Sequence, residues 1–197
     1  MNFEKNQLIT VDIVDMTSEG EGLGKLDGFP FFVKDTVIGD QALVRIVKLK
    51  KNYGYGRLEK VIRPASCRRE PKCSFHKSCG GCQIQALSYE KQLEFKGEKV
   101  RNNLLRIGGF LEEELDQVME PTVGMEEPYR YRNKAQVPFG SDKGGICAGF
   151  YAGRTHTIID SEDCLIAPEI NQTIIREIKS FMEEYHVAPY DEERGTG

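Results

Sequence analysis

The sequence of 197 residues predicts a mainly β protein in two parts: a small β-barrel over residues 1–63, then an α+β region over 64–197. Three observations carry this. The first 63 residues hold four or five short apolar runs with Gly-rich turns between them, and no helix-period pattern competes there. Residues 64–85 mix Cys, Gly, Pro and basic side chains without any periodicity, which reads as a loop held by something other than a core. Beyond them, two stretches of helical spacing bracket three strand-like runs.

Leu8 to Val14 alternates loosely and opens the barrel. Gly20, Gly22, Gly24 and Gly28 then punctuate a loop before the run Phe29 to Val33. Ala42 to Leu49 sets Leu43, Arg45, Val47 and Leu49 against Val44, Ile46 and Lys48, and Tyr55 to Ile62 closes the block before Pro64. From Ser88 a helix is expected, with Tyr89, Leu93, Val100, Leu104 and Ile107 on one face and Gly108-Gly109 ending it. Residues 111–127 read as an acidic connector. Strand-like stretches follow at Tyr131 to Phe139, Gly145 to Tyr151 and Thr155 to Asp160. Pro168 opens a last helix whose Ile170, Ile174, Ile175, Ile178, Phe181, Met182 and Tyr185 make one wide apolar face, an expected surface for self-association through 168–186.

With 20 Gly, 8 Pro and 39% hydrophobic residues, collagen-like and wholly disordered chains are excluded. No apolar run is long enough to span a bilayer and the first residues lack the order of a secretory signal, so no membrane association and a cytoplasmic location are expected. The net charge of −4 hides an asymmetry: residues 1–66 carry 10 basic and 9 acidic side chains, 67–110 carry 9 and 4, and 111–197 carry 8 and 18. An acidic whole therefore does not exclude a nucleic-acid partner, because phosphate contacts depend on a local patch.

Six cysteines in such a compartment point to metal ligands or buried thiols before disulfides. Cys73-x5-Cys79-Gly-Gly-Cys82 is the sharpest feature, since three thiolates within ten residues can converge on one centre. The fourth ligand must come from Cys67, Cys147 or Cys164. Three clustered cysteines plus one distant suit an iron-sulfur cluster better than zinc, which usually takes two short pairs; unliganded thiols are the third reading. His76 lies inside the cluster but reads first as a loop histidine.

Lys48, Lys50, Lys51, Tyr53, Tyr55 and Arg57 interleave cations with rings, the combination that holds single-stranded RNA by phosphate contact and base stacking. A solubilised edge strand with a Tyr-rich hairpin accounts for the same residues. Arg132 and Lys134, within Tyr129-Arg-Tyr-Arg-Asn-Lys134, could also meet RNA or form the outward face of a strand. Gly20-Glu-Gly-Leu-Gly24 lacks the following helix of a dinucleotide loop, and Gly140 to Gly149 lacks the ending of a P-loop and reads as a hairpin.

Glu19-Gly-Glu-Gly-Leu-Gly-Lys25, Gly28-Phe-Pro-Phe-Phe-Val33 and Tyr55-Gly-Arg57 make the first 63 residues resemble a TRAM domain, a five-stranded OB-like barrel found on RNA-modifying enzymes. The cysteine triplet followed by Leu87-Ser-Tyr89, then Tyr131-Arg-Asn-Lys134, Gly149-Phe-Tyr151 and Asp160-x3-Cys164, is similar to the central iron-sulfur domain of the 23S ribosomal RNA uracil-5 methyltransferases. The resemblance implies a [4Fe-4S] cluster on Cys73, Cys79, Cys82 and Cys164, with a fold-stabilising or RNA-positioning role, and leaves Cys67 and Cys147 as spectators.

It further implies 23S ribosomal RNA as partner and S-adenosylmethionine as methyl donor. The donor would be bound by a Rossmann-like methyltransferase domain whose motifs are absent from residues 1–197, as is the Asp-Pro-Pro-Arg context of the catalytic cysteine. The chain then resembles the N-terminal portion of such an enzyme, has no catalytic or S-adenosylmethionine-binding residue of its own, and is expected to be inactive alone. A free-standing RNA-binding iron-sulfur module without catalysis is the alternative.

Overall fold

The structure is a computed structural model that describes residues 3–142, 145–161, 163–191 and 194–197. Its contacts divide the chain into two compact units, residues 1–70 with 83–124, and residues 71–82 with 125–197. The helical stretch after the cysteine triplet thus groups with the barrel, and the triplet with the C-terminal half.

In the first unit β1 (Leu8–Met16), β2 (Gly22–Leu26), β3 (Phe29–Val33), β4 (Gln41–Leu49) and β5 (Gly54–Arg63) close a barrel in the order β1-β2-β3-β5-β4. All neighbours are antiparallel except β3 and β5, which pair in parallel with Phe32 opposite Tyr55. Strand alternation points Ile9, Val11, Ile13, Phe31, Val33, Ala42, Val44 and Ile46 inward as one buried core.

The glycine-punctuated loop expected before Phe29 contains β2. Its glycines serve close approach: a Cβ at Gly22 would collide with Thr36 Oγ1 and come within 2.8 Å of Ile13 Cγ2. They remove the alternation that would mark a strand.

A second core of Met16, Val37, Ala86, Leu87 and Phe95 joins the barrel to α1 (Tyr89–Asn103). Ser88 caps α1 by accepting from Lys91 N–H, and after one π turn over Leu104–Gly108 the left-handed Gly109 ends it, as the sequence predicts. The fully buried Asp40 fastens the segment that leads to the cysteines. Its carboxylate accepts from Val37 N–H (2.9 Å), Ala65 N–H (3.0 Å) and the Arg68 guanidinium (2.5 Å). The expected connector 111–127 holds α2 (Glu112–Val118), in which Leu115 is buried and Glu114 receives the Leu111 N–H at 2.8 Å.

The second unit has a three-stranded antiparallel sheet, β6 (Phe139–Asp142), β7 (Gly145–Tyr151) and β8 (Ile158–Asp160), with α3 (Ile170–Glu184) against β7. The hairpin expected at 140–149 is the antiparallel β6–β7 pair; residues 143 and 144 lie outside the described residues. The strand expected from Tyr131 forms a ladder only from Phe139. Before that, Arg130 and Arg132 give their N–H groups to Leu165 and Ile166 carbonyls, and Pro138 has none to give. Thr155 to Thr157 belong to the turn before β8. On α3 Ile175 is buried, while Ile170, Ile174, Ile178, Phe181 and Tyr185 stay exposed at 40–61%. Among the described residues no helix is long and apolar enough to cross a membrane.

Candidate nucleic-acid interface and metal centre

On the barrel, β4 turns into β5 through Lys50–Tyr53, closed by Lys50 N–H donating to Tyr53 O at 2.8 Å. Tyr53 and Tyr55 meet edge to face at 5.6 Å, and Phe32 of β3 contacts both, at 5.6 and 5.8 Å. All three rings are half-buried, so each is supported by the barrel yet open on one side. Lys48 stands in register with Tyr55, and Lys48, Lys50 and Lys51 are exposed. The structure therefore brings Lys48, Lys50, Lys51, Tyr53 and Tyr55 together and adds Phe32, which sequence reasoning missed. Only the parallel β3–β5 register, a pairing between segments far apart in the chain, carries it there.

Arg57 is exposed but engaged. Its Nη2 lies 2.9 Å from Glu59 Oε1, the same oxygen that Arg45 Nε reaches at 2.8 Å. Arg57 first, then Arg45, hold the Glu59 carboxyl below its ordinary range. Arg132 and Lys134 lie in the other unit, half-buried and exposed respectively, on irregular chain outside the strands.

The four cysteines of the expected ligand set all fall in the second unit. Main-chain turns wind the loop around Cys73 and Cys79: His76 N–H donates to Cys73 O (3.1 Å), and Cys79 N–H to Phe75 O (2.8 Å). Gly81 N–H donates to the Cys79 sulfur at 3.3 Å. Three contacts fasten this loop to its unit. Gly80 N–H donates to Tyr151 O at 2.9 Å, Cys79 bridges Ala152, and the Lys72 ammonium sits 4.5 Å above the Tyr129 ring. A Cβ at Gly80 would stand 3.0 Å from the Gly153 Cα and the Tyr151 oxygen, so a side chain there would press the loop off β7.

Cys164 follows β8 on a turn that Arg130 organises. The guanidinium forks onto Asp163 (2.6 and 3.2 Å) and also donates to the carbonyls of Cys164 and Ala167, both at 3.1 Å. Arg130 holds the Asp163 carboxyl below its ordinary range. Nothing in the residue types of Tyr129–Lys134 singles Arg130 out; its left-handed backbone, φ +57°, aims it at this turn.

Burial pushes the Cys73 thiol up, and the nearby Cys79, Cys164 and Asp163 push it further the same way. Cys73, Cys79 and Cys164 are therefore electrostatic neighbours; Cys82 is half-buried at the end of the same loop. None of the six cysteines is in a disulfide. Among the described residues no three His, Cys, Asp or Glu side chains are grouped tightly enough to hold a single ion. Cys67 lies in the first unit, with its thiol 3.5 Å from Ile38 O. Cys147 is buried on β7, and burial first, with Asp142 and Asp160, raises its thiol.

The family model of the TRAM domain matches residues 3–58, the five-stranded barrel less the end of β5. Residues 3–58 are thus similar to TRAM domains. Over 194 residues, 98% of the chain, the protein is 44% identical to an uncharacterized RNA methyltransferase of Bacillus cereus and 43% identical to one of Clostridium tetani. It covers 42% and 41% of those proteins, so the chain spans about two fifths of the curated relatives it matches. The crystal structure of the Pyrococcus abyssi tRNA (uracil-54, C5)-methyltransferase with S-adenosyl-L-homocysteine aligns at a TM-score of 0.59 and 25% identity. That alignment takes in 94% of this chain and 39% of that one, so the fold beside the TRAM barrel is shared as well.

Proposed function

We propose that the chain is the RNA-recognition portion of an S-adenosylmethionine-dependent uracil-C5 RNA methyltransferase, acting on 23S ribosomal RNA. The observation that carries this reading is the similarity along almost the whole chain to proteins named RNA methyltransferases, with a tRNA uracil-C5 methyltransferase sharing the fold. The exposed lysines and the Phe32–Tyr53–Tyr55 rings of the TRAM barrel suit single-stranded RNA, because cations meet phosphates and rings accept bases of any identity. Binding should weaken as salt rises. A 23S hairpin preferred over tRNA supports the ribosomal substrate, and the reverse order replaces it with tRNA while leaving RNA recognition intact.

Cys73, Cys79, Cys82 and Cys164 would hold a [4Fe-4S] cluster. The fit rests on the all-sulfur donor set and on the fold, which gathers these four free cysteines into one compact unit. A cubane's four thiolates bond to four different irons, so they stand farther apart than the ligands of one ion. Bound there, the cluster would cross-link the loop at 71–82 to the turn after β8. Anaerobically purified protein should carry about four irons per chain; stoichiometric zinc without iron refutes the assignment.

Carbon 5 of uracil is a weak nucleophile, and a thiolate adding at C6 is the usual activation. Cys147, buried with a raised thiol, is unsuited to that role. The chain by itself should transfer no labelled methyl group to RNA, and incorporation abolished by Cys147→Ala would overturn this reading.

A further inference from the structure

The TRAM barrel has a second concave feature beside its ring cluster. A cleft of about 710 Å³ opens between the β2–β3 turn and the β4–β5 turn, with Phe3 and Phe29 as apolar wall, Glu4 and Asp27 as carboxylates, and Lys50 and Lys51 as cations. The wall is rigid. Phe3 and Phe29 lie 5.4 Å apart, and both pack on the fully buried Phe31, at 5.1 and 5.3 Å. The backbone that carries the exposed Asp27 is a tight turn between two paired strands, in which Asp27 and Gly28 both take positive φ, +51° and +79°. The cleft is within the size range of small-ligand sites and exceeds a single base, leaving space for its ribose.

One four-residue turn serves both features. Lys50 and Lys51 line the cleft, while Tyr53 at the end of the same turn belongs to the Phe32–Tyr53–Tyr55 cluster. The shared turn puts the lysines and the cleft beside the rings along the chain, where a strand of RNA stacked on the rings would continue. There the carboxylates of Glu4 and Asp27 can only accept hydrogen bonds, so they favour a base edge that donates. Cytosine, adenine and guanine present an exocyclic amino group, whereas the one edge donor of uracil, N3–H, is flanked by two carbonyls that the carboxylates disfavour.

We propose that this cleft is a nucleobase subsite for an amino-bearing base of single-stranded RNA, next to the base stacked on Phe32, Tyr53 and Tyr55. The proposal rests on the reading of the barrel as an RNA-binding surface and adds a specificity that the rings cannot supply.

Fluorescence anisotropy of the whole chain with labelled six-nucleotide oligo-C and oligo-U tests it. Oligo-C should bind about fivefold more tightly, the discrimination of one good edge contact. In the double variant Asp27→Asn with Glu4→Gln the ratio should fall to about one, while affinity for oligo-U stays equal or rises as two negative charges are lost. Asn tolerates the left-handed backbone at position 27, so the turn is kept.

In a second double variant, Lys50→Ala with Lys51→Ala, both oligonucleotides should bind more weakly and with a smaller salt slope. Equal binding of the two oligonucleotides by the unaltered protein, or a preference that survives loss of the carboxylates, overturns the subsite and leaves RNA binding standing. Affinity and salt slope untouched by loss of the lysines overturn the RNA reading of this turn, and the subsite with it.

Discussion

Asp40 offers the sharpest test of what holds the first unit together. Its carboxylate is fully buried and spends itself on two main-chain N–H groups and the Arg68 guanidinium. Replacing it with Asn keeps the shape but removes the charge, and turns one acceptor into an NH2 group that must face a donor. Breaking a buried pair costs about 3–5 kcal/mol. The Arg68 side chain keeps 24% of its exposure and recovers part of its hydration, which places the expected loss near the lower end, about 3 kcal/mol.

With a urea dependence of about 2 kcal/mol per molar, that loss moves the unfolding midpoint down by about 1.5 M. Far-UV circular dichroism is the probe, since the chain has no Trp. Arg68→Ala should cost a similar amount by stranding the carboxylate, and the double variant should lose about 2 kcal/mol less than the two singles together. A midpoint shift under about 0.3 M for Asp40→Asn, or strict additivity, would refute the view that this pair anchors the segment 65–68 to the barrel.

Burial acts to raise the Asp160 carboxyl, but the Ala148 N–H (2.9 Å) and the Lys179 ammonium (3.1 Å) outweigh it and leave it below the ordinary 3.8. Its contribution to stability is complete above that value and disappears as pH falls through the lower folded one, so Asp160→Asn should shrink the acid limb of a urea-midpoint profile as pH falls below 3.8 and leave the profile above it parallel; an unchanged limb sinks this. In metal-free protein Cys147 should be alkylated by iodoacetamide after the other cysteines, because it is 5% exposed and its thiol is raised. Mass spectrometry that finds it labelled first would show that β7 opens readily. Phe32→Leu should weaken oligo-U binding about tenfold, within the range of one base–ring stack; unaltered affinity would exclude the ring from the interface.

The barrel is legible in the sequence where side chains alternate, as in β1 and β4, and illegible where packing forbids side chains, as in β2. The acidic run that hides α2 is itself the reason it is helical, because Glu112, Glu113 and Glu114 sit in the first turn, where negative charge is favoured. Spacing picks out the cysteine triplet, and the resemblance adds Cys164. The turn that presents Cys164 is not legible, for Arg130 reaches Asp163 across 33 residues and only the folded chain aligns them. The cleft near Lys50 was equally hidden, since its walls come from three separate segments.

The parallel pairing of β5 with β3 has a consequence for synthesis. β5 is the staple of the barrel, bonded to β3 on one side and β4 on the other. A nascent chain that has not yet delivered Gly54–Arg63 therefore carries two unpaired strand edges, with the apolar interior uncovered between them. The barrel can close only when its last strand has left the ribosome, and a chaperone that shields strand edges would have its work in that interval.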